Sequence, residues 1–211
     1  MRSLLEISRG YDTDKRAHRY IQYYEKHFAD IRMSATDVCE VGVFGGESLR
    51  MWAEYFPNAT VHGIDINAEC RRYASDRVRI LIADQKDARV RDYLRGGVDV
   101  LIDDGSHVPM DVVTTFDGVF PLVRPGGFYV VEDLHTSSSG VSPFQYSFMK
   151  VQSDAMDSLN YMRPGEGPNW PTYDQVSDET AGYLAKTVGE MHCYRFITFI
   201  KKHRNENDFS V

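Results

Sequence analysis

Residues 189–202 read "GEMHCYRFITFIKK", two runs rich in strand-forming side chains interrupted at Tyr194 and Arg195. Runs of that kind split by a short break predict an antiparallel hairpin. The chain before it has a different rhythm. "DVCEVGV" is followed by "ESLRMWAEYF", "TVHGIDI" by "AECRRYA", "VRILIAD" by "DARVRDYL" and "VDVLIDD" by "PMDVVTTFDGVF", before "GGFYVVED" closes the series. Five apolar runs separated by helical patterns predict a parallel sheet covered on both faces. Earlier still, Ala17, Tyr20, Ile21, Tyr24, Phe28 and Ile31 recur at intervals of three and four. That spacing predicts one helix over residues 14–31, with Thr13 as its N-cap.

An alternating βα series finished by a hairpin is the order expected of the S-adenosylmethionine (SAM) methyltransferase fold. The expected class is α/β and Rossmann-like: a mostly parallel seven-stranded sheet ending in an antiparallel hairpin, with helices on both faces. At 211 residues the chain suits a single domain. The expected organisation is one domain over residues 1–204, with 1–34 as an N-terminal helical cap, 135–188 as an acceptor-side lid and 205–211 as a tail. The lid segment opens with "TSSSG", contains a helical pattern around residues 145–162, and continues into "RPGEGPNWP". Long connections of this kind serve as lids or binding loops.

Composition narrows the function. A net charge of -7 argues against a nucleic-acid partner, which would need clustered Lys and Arg. The one basic cluster, "KKHR" at residues 201–204, reads as a solvated run. Cys39, Cys70 and Cys193 are too few and too scattered for a disulfide framework or a zinc site. "MRSLLEISRG" has no apolar core of the signal-peptide kind, and no apolar segment approaches membrane-spanning length. A cytoplasmic enzyme or binding protein, without a membrane partner, is the expectation.

"CEVGVFGGES" joins the first strand to its helix, with Glu40, Gly42, Gly46 and Ser48 in the spacing E-x-G-x-x-x-G-x-S. Glycines there let a cofactor approach the backbone, and the helix N-terminus offers free N–H groups. The spacing is not G-x-G-x-x-G, so a pyrophosphate-binding fingerprint is absent. Asp65 ends the second strand, one βα unit on, where a carboxylate can bind ribose hydroxyls. Asp84 and Gln85 end the third strand and suit the adenine side. Three successive strand ends with matching polar groups predict a nucleoside cofactor.

The fourth strand runs into "VLIDDGSH", residues 100–107, and the fifth into "YVVEDLHT". Neighbouring strand ends lie ~5 Å apart, which would bring Asp104, Glu132 and Asp133 into the crevice where strand order reverses. Three uncompensated carboxylates would repel one another, and a divalent cation removes the problem. Oxygen ligands suit Mg2+, Mn2+ or Ca2+ better than zinc. Asp103 is grouped with the cofactor-facing residues. His107 follows Asp104 by three positions, beyond a glycine turn, and is a candidate general base; His18 and His135 are rivals. The competing structural reading is that Asp103 and Asp104 cap the following helix.

In order along the chain, "YDTDKRAHRY", "EVGVFGGESLRMW", "FPNATVHGIDI", "ADQKD", "IDDGSH", "PGGFYVVEDLHTS" and "IKK" resemble the metal-dependent SAM sugar O-methyltransferases of macrolide biosynthesis. The likeness is to the mycinamicin and macrocin/demethylmacrocin type, with relatives that carry the label cephalosporin hydroxylase. It covers nearly the whole chain, and the layout is also similar to catechol O-methyltransferases. The resemblance implies Mg2+ (or Mn2+) on Asp104, Glu132 and Asp133, with His107 as base. It places Glu40, Gly42, Ser48, Asp65, Asp84 and Gln85 at cofactor positions. The N-terminal motif departs from the family's G-T-D-K, and Ser137 to Gly140 replace the aromatic that often follows "EDLHTS".

The expected chemistry is methyl transfer from SAM to a sugar hydroxyl, the acceptor being a small-molecule glycoside or a glycan. A homo-oligomer is the expected assembly. Two other classes compete: an oxidative tailoring enzyme like the cephalosporin hydroxylases, and a non-catalytic SAM-binding protein. The first would require iron, for which the usual set of two histidines and one carboxylate is not evident.

Overall fold

The computed structural model describes residues 1–138, 148–159, 183–184 and 187–203. Its sheet has seven strands: β1 (Asp37–Val41), β2 (Thr60–Asp65), β3 (Val78–Ile82), β4 (Val98–Asp103), β5 (Val123–Val131), β6 (Val188–Tyr194) and β7 (Ile197–Lys202). They lie in the order β3-β2-β1-β4-β5-β7-β6. β1 to β5 pair in parallel, while β7 runs antiparallel to both β5 and β6. The hairpin at residues 189–202 is therefore built as expected, and strand order reverses between β1 and β4.

Side-chain alternation along the strands divides the core into two layers. Val38, Val61, Val100, Ile102, Phe128, Val130 and Phe199 face one side. There they meet the helices α1 (Leu4–Ser8), α2 (Ile21–Phe28) and α3 (Glu47–Tyr55). Tyr24, Phe28, Trp52, Phe56 and Phe199 are fully buried on that side. Each aromatic of this size stabilises the fold by about 1.5–3 kcal/mol through burial. Cys39, Val41, Ile64, Leu101, Tyr129, Val131 and Ile200 face the other side. They meet α4 (Ala88–Tyr93), α5 (Pro109–Val119) and Phe148 of α7 (Phe148–Leu159). A one-turn helix, α6 (His135–Ser138), follows β5.

The N-terminal segment differs from the single helix expected over residues 14–31. Arg19 adopts a φ of 63°, and a left-handed residue cannot continue a right-handed helix. Residues 14–19 form turns instead, closed by Tyr20 N–H donating to Lys15 O at 2.9 Å. The helix proper is α2 alone, so Thr13 caps nothing; its Oγ1 accepts from Lys15 N at 3.4 Å. Tyr20, Ile21, Tyr24 and Phe28 nonetheless reach the core, whereas Ala17 is exposed. Upstream, α1 carries a capping box in which Ser3 and Glu6 satisfy each other's backbone N–H.

Of the helix expected around residues 145–162, α7 covers Phe148–Leu159. The rest of the expected lid, with Phe144, Tyr146, Tyr161 and Trp170, and the tail 205–211 lie outside the described residues. Among the described residues no helix is long and apolar enough to cross a membrane. Cys39 and Cys70 are buried free thiols, and Cys193 is an exposed one.

Candidate active site

At the reversal, the ends of β1 and β4 touch backbone to backbone. Asp104 N–H donates to Val41 O at 3.0 Å, and Glu132 N–H donates to Asp103 O at 3.0 Å. Gly42 sits at φ +91°, and a Cβ there would lie 2.0 Å from Asp104 O. Only glycine fits, on both counts. The turn after it leaves Gly45 with open space where a side chain would be, and Phe44 is 94% exposed. Gly46, at φ +69°, is the N-cap of α3.

Asp65 holds this turn from β2. Its Oδ2 accepts from Val43 N at 2.8 Å and Phe44 N at 3.1 Å, and its Oδ1 accepts from Asn67 N at 2.8 Å. Partial burial works to raise its pKa, but these backbone donors prevail and lower it. Ser48 Oγ donates to Glu40 Oε2 at 2.6 Å, tying α3 to β1. Asp84 accepts from Lys86 N at 2.9 Å and is half exposed. Gln85 is buried: its Nε2 donates to Thr115 Oγ1 at 2.8 Å, and its Oε1 accepts from Ser106 N at 2.8 Å. It braces the "DDGS" turn from below. Asp103 faces the same inner layer, accepting from Tyr129 OH at 3.1 Å, and burial pushes its pKa up to about 7.

Asp104 caps no helix. Val108 is the N-cap of α5 and makes no side-chain bond there. Alternation explains where the carboxylates go. Glu40 shares a face with Val38, Asp104 with Ile102, and Glu132 with Val130, so all three point to the side covered by the N-terminal segment. Lys15 waits there, fully buried. Its Nζ donates to Asp104 Oδ2 and to Glu132 Oε1, both at 2.6 Å, and lies 3.0 Å from Glu40 Oε1. Tyr24 OH donates to Glu132 Oε1 as well. Burial opposes the Lys15 charge, yet Asp104, Glu132 and Glu40 together raise its pKa well above the ordinary value. Burial, with Asp104 beside it, likewise drives the Glu132 carboxyl upward against the pull of Lys15. The carboxylates are thus not uncompensated: a lysine 89 and 117 positions away supplies one positive charge.

On the crevice side stands a second group. Asp104, His107 and Asp133, all half-buried, bring one ligand atom each within 4.8 Å of one another. His107 Nε2 lies 3.8 Å from Asp104 Oδ1 and 3.9 Å from Asp133 Oδ2. Both His107 and Asp133 have φ of 55°. Side chains held in the left-handed region cost about 1–3 kcal/mol each and persist where the surroundings impose them, commonly at functional sites. Tyr20 OH donates to Asp133 Oδ1 at 2.8 Å, and His18 Nδ1 lies 3.7 Å from the same oxygen. His135 packs its ring against Phe196, centroids 5.2 Å apart. Of the expected metal set, the structure groups Asp104 and Asp133 with His107, and draws Glu132 to Lys15. The two carboxylates suit a hard divalent ion, and the imidazole stands beside them.

Residues 39–134, which contain all of these strand ends, match the family model described as a methyltransferase domain. The chain carries a methyltransferase domain. It is 39% identical over 199 residues to the 8-demethyl-8-alpha-L-rhamnosyl tetracenomycin-C 2'-O-methyltransferase of Streptomyces olivaceus, covering 89% of this chain and 51% of that protein. It is 32% identical over 222 residues to the mycinamicin VI 2''-O-methyltransferase of Micromonospora griseorubida, covering 96% of this chain and 53% of that protein. Among solved structures, the MycE methyltransferase of the mycinamycin pathway, in complex with Mg and SAH, superposes with a TM-score of 0.82 at 32% identity. That match covers 97% of this chain and 55% of the other. The chain spans about half the length of the curated relatives it matches. The likeness to sugar O-methyltransferases read from the motifs of this methyltransferase domain therefore holds along the chain and in the fold.

Proposed function

We propose that this methyltransferase domain moves a methyl group from SAM to a hydroxyl of a sugar carried by a natural product, with a divalent ion, Mg2+ or Mn2+, at the crevice. The observation that carries the reading is the convergence of Asp104, His107 and Asp133 directly beside the glycine turn at residues 42–48. The relatives named for 2'-O-methylation of a rhamnosyl group and 2''-O-methylation of mycinamicin VI support the sugar acceptor. MycE, solved with Mg and SAH, supports the cofactor pair.

The residues divide the work. The open turn around Gly45, with Asp65 at its edge, binds the nucleoside, and Asp84 and Gln85 border the adenine side. Asp104 and Asp133 would hold the ion, which when bound lowers the pKa of the acceptor hydroxyl, while SAM supplies an electrophilic methyl group. His107 Nε2 accepts the hydroxyl proton as the oxygen becomes a nucleophile. In-line attack requires acceptor and methyl at about 3 Å, and one crevice shared by the ion and the cofactor would hold both. An iron oxygenase reading gains nothing: among the described residues each converging set has at most one histidine.

The test is incubation with methyl-labelled SAM and a panel of rhamnosyl and deoxysugar glycosides beside their aglycones. Label on a sugar oxygen of the glycosides alone supports the proposal. Label on the aglycones, or consumption of oxygen instead of SAM, refutes it.

A further inference from the structure

We infer that Lys15 is a tethered resident cation, occupying a second carboxylate site that without it would take a free cation. This rests on the proposed function only in so far as Asp104 also serves the crevice. Glu40, Asp104 and Glu132 bring one oxygen each within 4.8 Å of one another. Glu40 lies in β1, and Asp104 and Glu132 directly follow β4 and β5, the next two strands of the sheet; Glu40 and Glu132 are buried. Among the described residues, Glu40 Oε1 is buried with no hydrogen-bond partner, and the Lys15 charge, at 3.0 Å, answers it. Such a buried oxygen is costly unless a cation faces it. The Lys15 ammonium fills that place, reached from an N-terminal segment that the left-handed Arg19 turns back over the sheet.

The arrangement makes Lys15 a positioning residue. By gripping Asp104 through Oδ2, it leaves Oδ1 directed at His107. Through Glu40, which accepts from Ser48 Oγ, the same ammonium is linked to the first turn of α3 at the cofactor side. One buried charge therefore fixes both halves of the crevice.

The experiment compares the parent, Lys15→Ala, Lys15→Met, and Lys15→Met combined with Glu40→Gln, by Mn2+ titration and thermal melting with and without Mn2+ or methylammonium. Lys15→Ala is expected to bind one Mn2+ more than the parent. Its melting temperature should recover with either cation, whereas methylammonium should leave that of the parent unchanged and Mn2+ should raise it only by what the crevice site contributes. The double variant, with cluster charge restored, should regain stability without added cation. Should Lys15→Ala fold only in the presence of cation, the conclusion is the same. Unchanged stoichiometry with no cation-dependent recovery, or a double variant no more stable than Lys15→Met alone, would overturn the inference. A parent that binds no Mn2+ at all contradicts the crevice ion of the proposed function, and leaves the comparison between variants to judge Lys15.

Discussion

Lys15 and Asp104 stand 89 positions apart in the chain and meet at 2.6 Å, ammonium to carboxylate. Because the other Asp104 oxygen faces His107, this one carboxylate belongs to both charge clusters. Asp104→Asn keeps its size and removes its charge. Breaking a buried pair costs about 3–5 kcal/mol. Asp104 retains some exposure, so the lower end is expected. Denaturant unfolding should show that loss, and calorimetry should show Mn2+ affinity at least tenfold weaker. A variant with unchanged ion affinity would remove Asp104 from the crevice site.

His107→Ala should leave SAM and Mn2+ binding nearly intact and lower the single-turnover rate by about 100-fold or more. His107→Gln should not restore it, because an amide donates to the hydroxyl but cannot take its proton. His18, near the other Asp133 oxygen, is the control. If His18→Gln produces the larger loss and His107→Ala keeps the parental pH profile, the base is His18.

At the glycine turn, Asp65→Ala should weaken SAM binding by about 1–3 kcal/mol, the scale of hydrogen bonds to a charged group. Gly42→Ala should do more harm. Its Cβ would stand 2.0 Å from Asp104 O in a left-handed backbone, so a stability loss of about 3 kcal/mol or more is expected. Melting curves of the two variants, with and without SAM, separate a lost ligand contact from a distorted strand end.

His27 offers a pH test away from the crevice. Burial against Phe199, and then His192 nearby, depresses its pKa from 6.5 to about 4. A histidine kept neutral by folding contributes stability that is present above its unfolded pKa and is lost as pH falls through the folded value. The loss should therefore develop between about pH 6.5 and 4. Since the ring is half exposed, screening reduces the effect to about 1–2 kcal/mol. His27→Gln should flatten the stability profile across that window. An unaltered profile would show that His27 titrates normally.

The sheet and its polar rim were legible because strands and helices differ in period, and because carboxylates at the ends of apolar runs are conspicuous. Glu40, Asp65, Asp104 and Asp133 all stand on that rim. Lys15 does not stand out as a site residue, since within "YDTDKRAHRY" it looks like one of several solvated charges. One signal did point to it. Alternation sends Glu40, Asp104 and Glu132 to a single buried face, which then requires a cation from whatever covers that face. The break at Arg19 was invisible because the three-and-four spacing of Tyr20, Tyr24 and Phe28 continues to describe α2. Gln85 stood out at the end of β3, but its bond to Ser106 depends on a turn whose path only the fold determines.

The central claim is that the crevice between β1 and β4 methylates a sugar hydroxyl with a divalent ion on Asp104 and Asp133. Its most direct test is one measurement: single-turnover methyl transfer from labelled SAM to a rhamnosyl glycoside, before chelation, after it, and after Mg2+ is restored. Transfer should vanish on chelation and return with Mg2+ in the parent, and should stay absent in Asp104→Asn at every step. Full transfer in excess chelator, with the protein shown metal-free by elemental analysis, would contradict the account.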